Sequence, residues 1–157
     1  EAVCDQSGAN LGIYLDINCG MNRTGIVPGE AARKLYQRIH QSESVTLGGL
    51  HVYDGHIRDS SIEERAEHCL RDWEEVDSFI DSLKQSTLPI PNIVAGGSPT
   101  LPVHAKREGV DLSPGTTLLW DFGYGDAFPD IPFQHAAILL TRVLSKPSGN
   151  LVCLDLG

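Results

Sequence analysis

Leu11-Gly-Ile-Tyr-Leu-Asp-Ile-Asn18 is a short segment of apolar, β-branched and aromatic residues, bounded by glycine-containing turns, and it is typical of a buried strand. A loop over residues 19–27 follows it. Pro28 and Gly29 then open a segment whose apolar side chains recur at helical spacing. Those side chains are Ala32, Leu35, Tyr36 and Ile39. The stretch therefore predicts one strand–loop–helix unit.

The same unit recurs along the chain. Residues 45–53 are strand-like, residues 54–56 turn, and Ser61-x-x-Glu64 is a capping box that predicts the start of a long helix. The apolar stripe of this helix is Ile62, Ala66, Cys69, Leu70, Trp73, Val76, Ile80 and Leu83. Two more strands are predicted over residues 92–95 and 118–122, with a short helix between them that ends near Glu108.

Alternating strands and helices favour a parallel sheet with right-handed crossovers, either an open doubly wound sheet or part of a barrel. Four such units make up about half of a (β/α)8 TIM-type barrel. Beyond them, apolar runs at residues 136–144 and 151–156 flank a turn-rich connection, which predicts an antiparallel hairpin. We therefore expect a partial barrel over residues 1–132 and the first strands of a small, truncated β domain over residues 133–157.

The bulk composition excludes several classes of function. A net charge of -9 argues against binding to nucleic acid. No apolar stretch is long enough to suggest a membrane partner. The four cysteines are widely spaced and form no C-x-x-C pair, which favours reduced thiols and a cytoplasmic protein. Because the chain opens without Met and stops after an apolar run, we expect it to be incomplete.

Polar and glycine-rich residues follow the predicted strands, where function gathers in such folds. Residues 96–100, Gly-Gly-Ser-Pro-Thr, lie between a strand and a helix, so Gly97, Ser98 and Thr100 are candidates for binding a phosphate. A plain glycine-rich turn is an equally good interpretation of this pentapeptide alone. It matches neither the P-loop nor G-x-G-x-x-G, which disfavours ATP and NAD.

The other two strand ends offer an arginine and histidines. Arg23 lies in a glycine-flanked loop and is a candidate anion contact, although a surface arginine paired with a carboxylate is the alternative. His51 and Tyr53 alternate along a strand and so share a face, with His56 on the loop beyond. Asp54 and His56 are too few to predict a metal site. Three further histidines fit a structural, hydrogen-bonded role: His40, His68 and His104.

Four motifs in order resemble the D-threonine aldolase and D-serine dehydratase branch of the fold-type III pyridoxal-phosphate enzymes, whose barrel is of the alanine racemase N-terminal type. These motifs are residues 15–25 (Leu-Asp-Ile-Asn-Cys-Gly-Met-Asn-Arg-Thr-Gly), 49–56 (Gly-Leu-His-Val-Tyr-Asp-Gly-His), 96–100 and 114–121 (Pro-Gly-Thr-Thr-Leu-Leu-Trp-Asp). The resemblance implies pyridoxal 5'-phosphate as cofactor, a Schiff-base lysine on the first barrel strand and a divalent metal, such as Mn or Zn, held near the C-terminus.

The lysine and the metal ligands are expected outside this chain. None of its four lysines falls at the required strand position: Lys34, Lys84, Lys106 and Lys146. The resemblance therefore implies the C-terminal half of the barrel and a chain that is inactive by itself. Half a barrel also leaves open sheet edges and an uncovered core, so we expect the isolated chain to be poorly stable.

By the same resemblance, Arg23 would contact the phenolic oxygen of the cofactor, and Gly97, Ser98 and Thr100 would contact its phosphate. Tyr53 and His56 would line the pocket near the ring and substrate, with His56 as the catalytic candidate. Alanine racemases carry an arginine before the turn that begins here at Pro114, whereas this chain has Ser113. The absence of that arginine favours a lyase, because an electron-sink mechanism suits aldol cleavage.

The resemblance thus implies a pyridoxal-phosphate-dependent lyase that splits D-3-hydroxy amino acids into glycine and an aldehyde. Its partner would be a small D-amino acid, and dimers are common among such proteins, so a homodimer is expected. The alternatives are a D-serine dehydratase-like ammonia-lyase, an amino-acid racemase and a non-catalytic carrier of pyridoxal phosphate.

Overall fold

A computed structural model describes residues 2–156 of the chain. The helices are α1 (Ala2–Ser7), α2 (Glu30–Gln41), α3 (Ile62–Gln85), α4 (Leu101–His104) and α5 (Phe122–Ala127). The strands are β1 (Leu11–Ile17), β2 (Val45–Tyr53), β3 (Ile93–Gly96), β4 (Asp111–Leu112), β5 (Val143–Ser148) and β6 (Leu151–Leu154). None of the described helices combines the length and apolar character that a membrane span requires.

The first four strands form one parallel sheet in the order β1-β2-β3-β4. Buried and exposed positions alternate along the strands, as the pleat requires. Leu15 and Leu50 are paired in register and point into the core, whereas Asp16 and His51, the next pair, lie on the opposite face. The predicted α/β fold with a parallel sheet is confirmed, and the C-terminal half of the barrel stays a prediction.

The main core lies between the sheet and helices α2 and α3. Its largest side chains include Tyr36 from α2 and Trp73 from α3, both essentially inaccessible to solvent. The predicted stripe of α3 is correct at most positions, but Leu70 is 54% exposed. Arg65 and Phe79 are buried in its place. The helix begins as predicted, since the Ser61 side chain accepts from the first-turn backbone N–H groups.

The strand predicted over residues 118–122 is wrong. The fourth strand is the two-residue β4, and the predicted stretch instead forms a 3-10 turn (Thr116–Leu118) and the start of α5. Trp120 takes a positive φ of 47° and is buried with Phe128 and Ile131 in a second small core. An ion pair between Arg65 and Asp130 links that core to α3. Trp120 is the buried residue of that apolar run, whereas Leu118 and Phe122 are exposed.

The predicted hairpin is confirmed with shorter strands. Strands β5 and β6 pair antiparallel and form a separate two-stranded sheet. Residues 136–142 belong to no helix or strand, so the first strand begins later than expected. Leu140 in that stretch is 99% exposed. The boundary between residues 132 and 133 stays a prediction.

Candidate functional site

Four residues meet at the carboxyl ends of the parallel strands: Arg23, Tyr53, Gly96 and Ser113, called here the strand-end row. Tyr53 and Gly96 are register partners in β2 and β3. A Cβ at Gly96 would lie 2.8 Å from Ser113 Oγ and 3.1 Å from Tyr53 Cδ2. The Arg23 guanidinium stands 4.8 Å from the centroid of the Tyr53 ring. Gly96 therefore lets the neighbouring side chains close into one continuous surface.

The loop that carries Arg23 is held against the end of β1. Ile26 N donates to Asp16 O at 2.9 Å, and Asn18 N donates to Ile26 O at 3.0 Å. The Asn18 side chain accepts from the backbone of Gly20 and Asn22. Among residues 2–156 no carboxylate pairs with Arg23, which is exposed and contacts the Tyr53 ring. The alternative of an arginine paired at the surface is therefore not what the structure shows.

An imidazole and a carboxylate lie on the same face of the sheet, with His51 two residues before Tyr53 along β2 and Asp16 beside it in β1. Asp16 Oδ1 is 2.6 Å from His51 Nδ1, and each side chain remains about one-third exposed. The two residues are register partners in β1 and β2. His51 and Tyr53 thus share the face opposite the helices, as strand alternation predicts. The carboxylate fixes the His51 ring and directs its Nε2 atom away from the pair.

The glycine turn, residues 96–100, follows β3 directly. Gly97 has a φ of 140°, and a Cβ there would overlap Asp54 Oδ1, so only glycine fits. Ser98 is nearly buried and its Oγ accepts from Thr116 N at 3.2 Å. Thr100 is inaccessible to solvent and its hydroxyl donates to Asp54 Oδ1 at 2.7 Å. The Thr100 hydroxyl therefore points into the protein interior, where its bond to Asp54 holds the glycine turn in place.

Asp54 is the centre of a buried polar group that also contains Cys69, Thr100 and His104, here the Asp54 network. His104 Nε2 lies 2.7 Å from Asp54 Oδ2, and Cys69 Sγ lies 3.7 Å from the same oxygen. Burial, with the Asp54 charge adding to it, raises the pKa of Cys69 to about 12. The His104 ring packs against Trp73 at a tilt of 51°, with 4.7 Å between ring centroids. The structural role expected for His104 is thus confirmed.

His56 lies apart from the strand-end row. Its Nε2 atom is 2.7 Å from Asp72 Oδ2 on α3, and its ring stands edge-on to His68 at 5.8 Å. His68 Nδ1 is 2.8 Å from Asp59 Oδ2. The catalytic role of His56 stays a prediction. Spacing alone did not reveal the Asp54 network, because its members come from segments up to 50 residues apart. In the other group His68 and Asp72 are four residues apart on α3, but the approach of His56 from the preceding loop is set by packing.

Comparison with known proteins places these features in a family. The model of "Alanine racemase, N-terminal domain" matches residues 1–120. The D-threonine aldolase of Arthrobacter sp is 29% identical over 97% of this chain and 41% of its own length. A 3-hydroxy-D-aspartate aldolase of Paracoccus denitrificans (strain Pd 1222) is 26% identical over 100% of this chain and 43% of its own. The chain spans less than half the length of these curated relatives.

Solved structures agree. The crystal structure of D-threonine aldolase from Filomicrobium marinum superposes with a TM-score of 0.86 and 26% identity, covering 99% of this chain and 44% of that one. An alanine racemase of Clostridium difficile 630 superposes with a TM-score of 0.71 over 86% of this chain and 36% of that one, and at 18% identity it shows the fold alone. Because the family model covers most of the sequence, the chain belongs to the alanine racemase N-terminal domain family.

Proposed function

We propose that this chain is the cofactor-binding part of a pyridoxal-phosphate-dependent lyase that cleaves D-3-hydroxy amino acids to glycine and an aldehyde. The observation that carries the proposal is the strand-end row beside the glycine turn. There Arg23, which has no carboxylate partner among residues 2–156, stands over the Tyr53 ring, and Gly96 packs closely between Tyr53 and Ser113. Two relatives named as aldolases of D-3-hydroxy amino acids support the substrate class.

The residues present fit an anionic, aromatic cofactor. Arg23 offers a fork of N–H donors, suited to the phenolic oxygen. The turn at Gly97 and Ser98 brings backbone N–H groups and a hydroxyl to the strand end, which suits a phosphate. Thr100, bound to Asp54, would act by holding the turn in shape. Tyr53 would form the wall between the two anion contacts.

The bound cofactor would supply an electron sink for the carbanion left by Cα–Cβ cleavage. The residues of this chain would position the groups that act on the substrate. Asp16 holds His51 with Nε2 directed away from the pair, so a proton could be exchanged at that atom. Ser113 Oγ donates to Ala95 O at 3.3 Å and brings no positive charge to the row. That neutral group favours a lyase over a racemase.

Two parts of the reaction would come from outside this chain: the Schiff-base lysine and the ligands of the divalent metal expected in the longer protein. Lys34 lies on α2 and pairs with Glu30, and Lys84 lies on α3. Lys106 follows α4, and Lys146 lies in strand β5 rather than in a turn. No described lysine is at the strand ends. We further propose a cytoplasmic location and a homodimer of the longer protein.

Titration with pyridoxal phosphate tests the cofactor site. We expect saturable binding to the 157-residue chain, weakened at least tenfold by Arg23→Gln and by Ser98→Ala. The control is Arg142→Gln, which removes an exposed arginine of the hairpin and should leave binding unchanged. Borohydride reduction should trap no lysine. Specific trapping of Lys34, Lys84, Lys106 or Lys146 would contradict the proposal.

The reaction itself is tested in the longer protein with D-threonine and 3-hydroxy-D-aspartate. Glycine with an aldehyde supports aldol cleavage, an oxo acid with ammonia indicates a dehydratase, and the epimer inverted at Cα indicates a racemase. Binding without any turnover would indicate a carrier. His56→Gln belongs in the same assay, because loss of turnover with unchanged cofactor affinity is the result expected of a catalytic residue.

A further inference from the structure

A second polar cluster lies on the helix side of the sheet, beside the loop after β1. It contains His56 from the loop after β2, and His68 and Asp72 one turn apart on α3. His56 Nε2 is 2.7 Å and His68 Nε2 is 3.4 Å from the same oxygen, Asp72 Oδ2. One atom from each of the three side chains falls within 4.8 Å of the others. Two imidazoles thus converge on a single carboxylate oxygen.

We propose that His56, His68 and Asp72 bind a divalent transition-metal ion of the zinc class, with solvent completing the coordination. Tetrahedral zinc ligands about 2.0–2.1 Å from the ion lie about 3.3 Å from one another. The His68–Asp72 separation of 3.4 Å already has this value, and the His56–Asp72 separation of 2.7 Å requires the pair to open slightly. Imidazole and carboxylate ligands together favour zinc-like ions over Mg²⁺ or Ca²⁺.

The surroundings of His68 support a metal ligand. Asp59 Oδ2 is 2.8 Å from His68 Nδ1, so a proton on Nδ1 is held by that carboxylate and Nε2 presents its lone pair to the cluster. A carboxylate behind a histidine is the usual arrangement at metal sites, where it fixes the tautomer and raises the basicity of the ligand. Arg71 contacts only the other oxygen of Asp72, Oδ1, at 3.7 Å. Oδ2 therefore remains directed at the two imidazoles.

Gly20 leaves a space next to the proposed ligands. Its φ is 128°, and a Cβ there would stand 2.8 Å from His56 Nε2 and 3.1 Å from Asp72 Oδ2. Any side chain would occupy the place beside these two atoms. A groove lined by Asn18, Gly20 and Asn22 opens to solvent beside one of the ligands, Asp72. The ligand side chains are 18–28% exposed, so an ion has access.

The other grouping of this kind among the described residues is Asp54, Cys69 and His104. Its side chains are inaccessible to solvent, and both Asp54 oxygens already contact Thr100 or His104. We therefore place the ion at the exposed cluster. His56 is also the catalytic candidate of the proposed lyase, so the two proposals share one residue. The metal test needs no cofactor and measures ion affinity rather than turnover, which keeps its failure distinguishable from a failure of the lyase proposal.

The test uses the 157-residue chain stripped with EDTA and titrated with Co²⁺, whose visible bands report coordination, followed by competition with Zn²⁺. We expect one Co²⁺ per chain, displaced by one Zn²⁺, and at least a 100-fold loss of affinity in His56→Gln, His68→Gln and Asp72→Asn. Asp59→Asn should weaken binding by about 10–100-fold, as loss of an outer carboxylate does.

Two controls separate this site from other imidazoles and thiols. His40→Gln removes an exposed histidine of α2, and Cys69→Ala alters the buried grouping, and both should bind as the parent does. Zinc should also raise the melting temperature of the parent and of His40→Gln but not of His56→Gln. Absence of the Co²⁺ bands in the folded parent, or equal affinity in His56→Gln and His40→Gln, would overturn the proposal.

Discussion

At the scale of single residues, Asp54 is a buried carboxyl group on which several side chains converge. It is inaccessible to solvent and contacts two side chains of one later element, Thr100 at the start of α4 and His104 at its end. Backbone also converges there, since Asp54 N donates to Gly96 O at 3.1 Å. Removing one partner of a buried pair leaves the other polar group without compensation. Asp54 should therefore matter for stability more than its place in a turn suggests.

Asp54→Ala should lower the free energy of unfolding by about 3–5 kcal/mol, because His104 and Thr100 lose their buried acceptor. Urea unfolding followed by circular dichroism measures it. The control is Asp81→Ala, which removes an exposed pair with Lys84 and should cost less than about 1 kcal/mol. An equal loss of unfolding free energy in the two variants would show that the buried network stabilises the chain no more than an exposed ion pair does.

The buried thiols make the free energy of unfolding decrease as pH rises through the alkaline range. Burial, with the Asp54 charge adding to it, raises the pKa of both Cys19 and Cys69 from 9.0 to about 12 in the folded chain. The unfolded chain releases these protons near pH 9, so their stabilising contribution is complete below pH 9 and is lost between pH 9 and 12. Cys19→Ala/Cys69→Ala should lose less stability than the parent over this interval.

The matched control for the thiols is Cys153→Ala, since Cys153 is exposed. Its urea midpoints at pH 7.5, 9 and 10.5 should decline in parallel with those of the parent. A decline of the double variant as steep as that of the parent would remove the thiols from the explanation. Thiol-reactive reagents should also label Cys153 well before Cys69 in the folded chain.

At the scale of elements, the start of α3 is fixed by one side chain. Ser61 Oγ accepts from the backbone of Glu63 at 3.2 Å and of Glu64 at 3.4 Å. The Ser61 hydroxyl donates to Glu63 Oε2 at 2.7 Å, so Glu63 is the carboxylate that contacts the capping side chain. The sequence pattern had pointed to Glu64. The position of the cap was correct, and the carboxylate that joins it was one residue earlier.

Ser61→Ala should cost about 1 kcal/mol of stability, because two N–H groups of the first turn lose their acceptor. Ser78→Ala is the control on the same helix. Ser78 is exposed and bonds only to Glu74 O one turn back, so its loss should change stability by less than about 0.5 kcal/mol. Urea midpoints of the two variants give the comparison, and a larger loss in Ser78→Ala would be evidence against the cap.

The sequence pattern predicted the long elements and several short ones, and it failed at the fourth strand. Strands β1 and β2 and helices α2 and α3 carry enough residues for burial to impose a clear pattern. Strand β4 has two residues, both exposed, and so leaves almost no apolar signal. The run at residues 118–122 has the composition of a strand, but its one buried side chain, Trp120, packs beside α5 instead. The composition of the segment contains no information about which distant residues Trp120 packs against.

At the scale of the whole molecule, the strand-end row was predictable because parallel strands end at one edge of the sheet. Arg23 and Tyr53 of this row, and Gly97 of the adjacent glycine turn, are candidates from the sequence for that reason. The Asp54 network and the cluster of His56, His68 and Asp72 were not. Their members meet through packing of α3 on the sheet, and a pattern of spacing contains no information about how two elements approach.

The apolar side chains of the hairpin and the segment before it are largely exposed. They include Ile138 at 89%, Leu140 at 99% and Leu151 at 62%. Exposed apolar surface of this kind marks an interaction site or a liability to aggregate. We expect the 157-residue chain to associate as its concentration rises, and Ile138→Ser/Leu140→Ser to shift it toward monomer in analytical ultracentrifugation. Val27→Ser, at an exposed site before α2, should leave association unchanged.

The Asp54 network also limits how this chain can be recombined with its relatives. Asp54, Cys69 and the pair Thr100 and His104 come from three successive parts of the sequence yet share two carboxylate oxygens. A chimera that crosses over between them would join an acceptor from one parent to donors from another. Grafting the glycine turn should therefore succeed only when residues 54–104 are exchanged as one block.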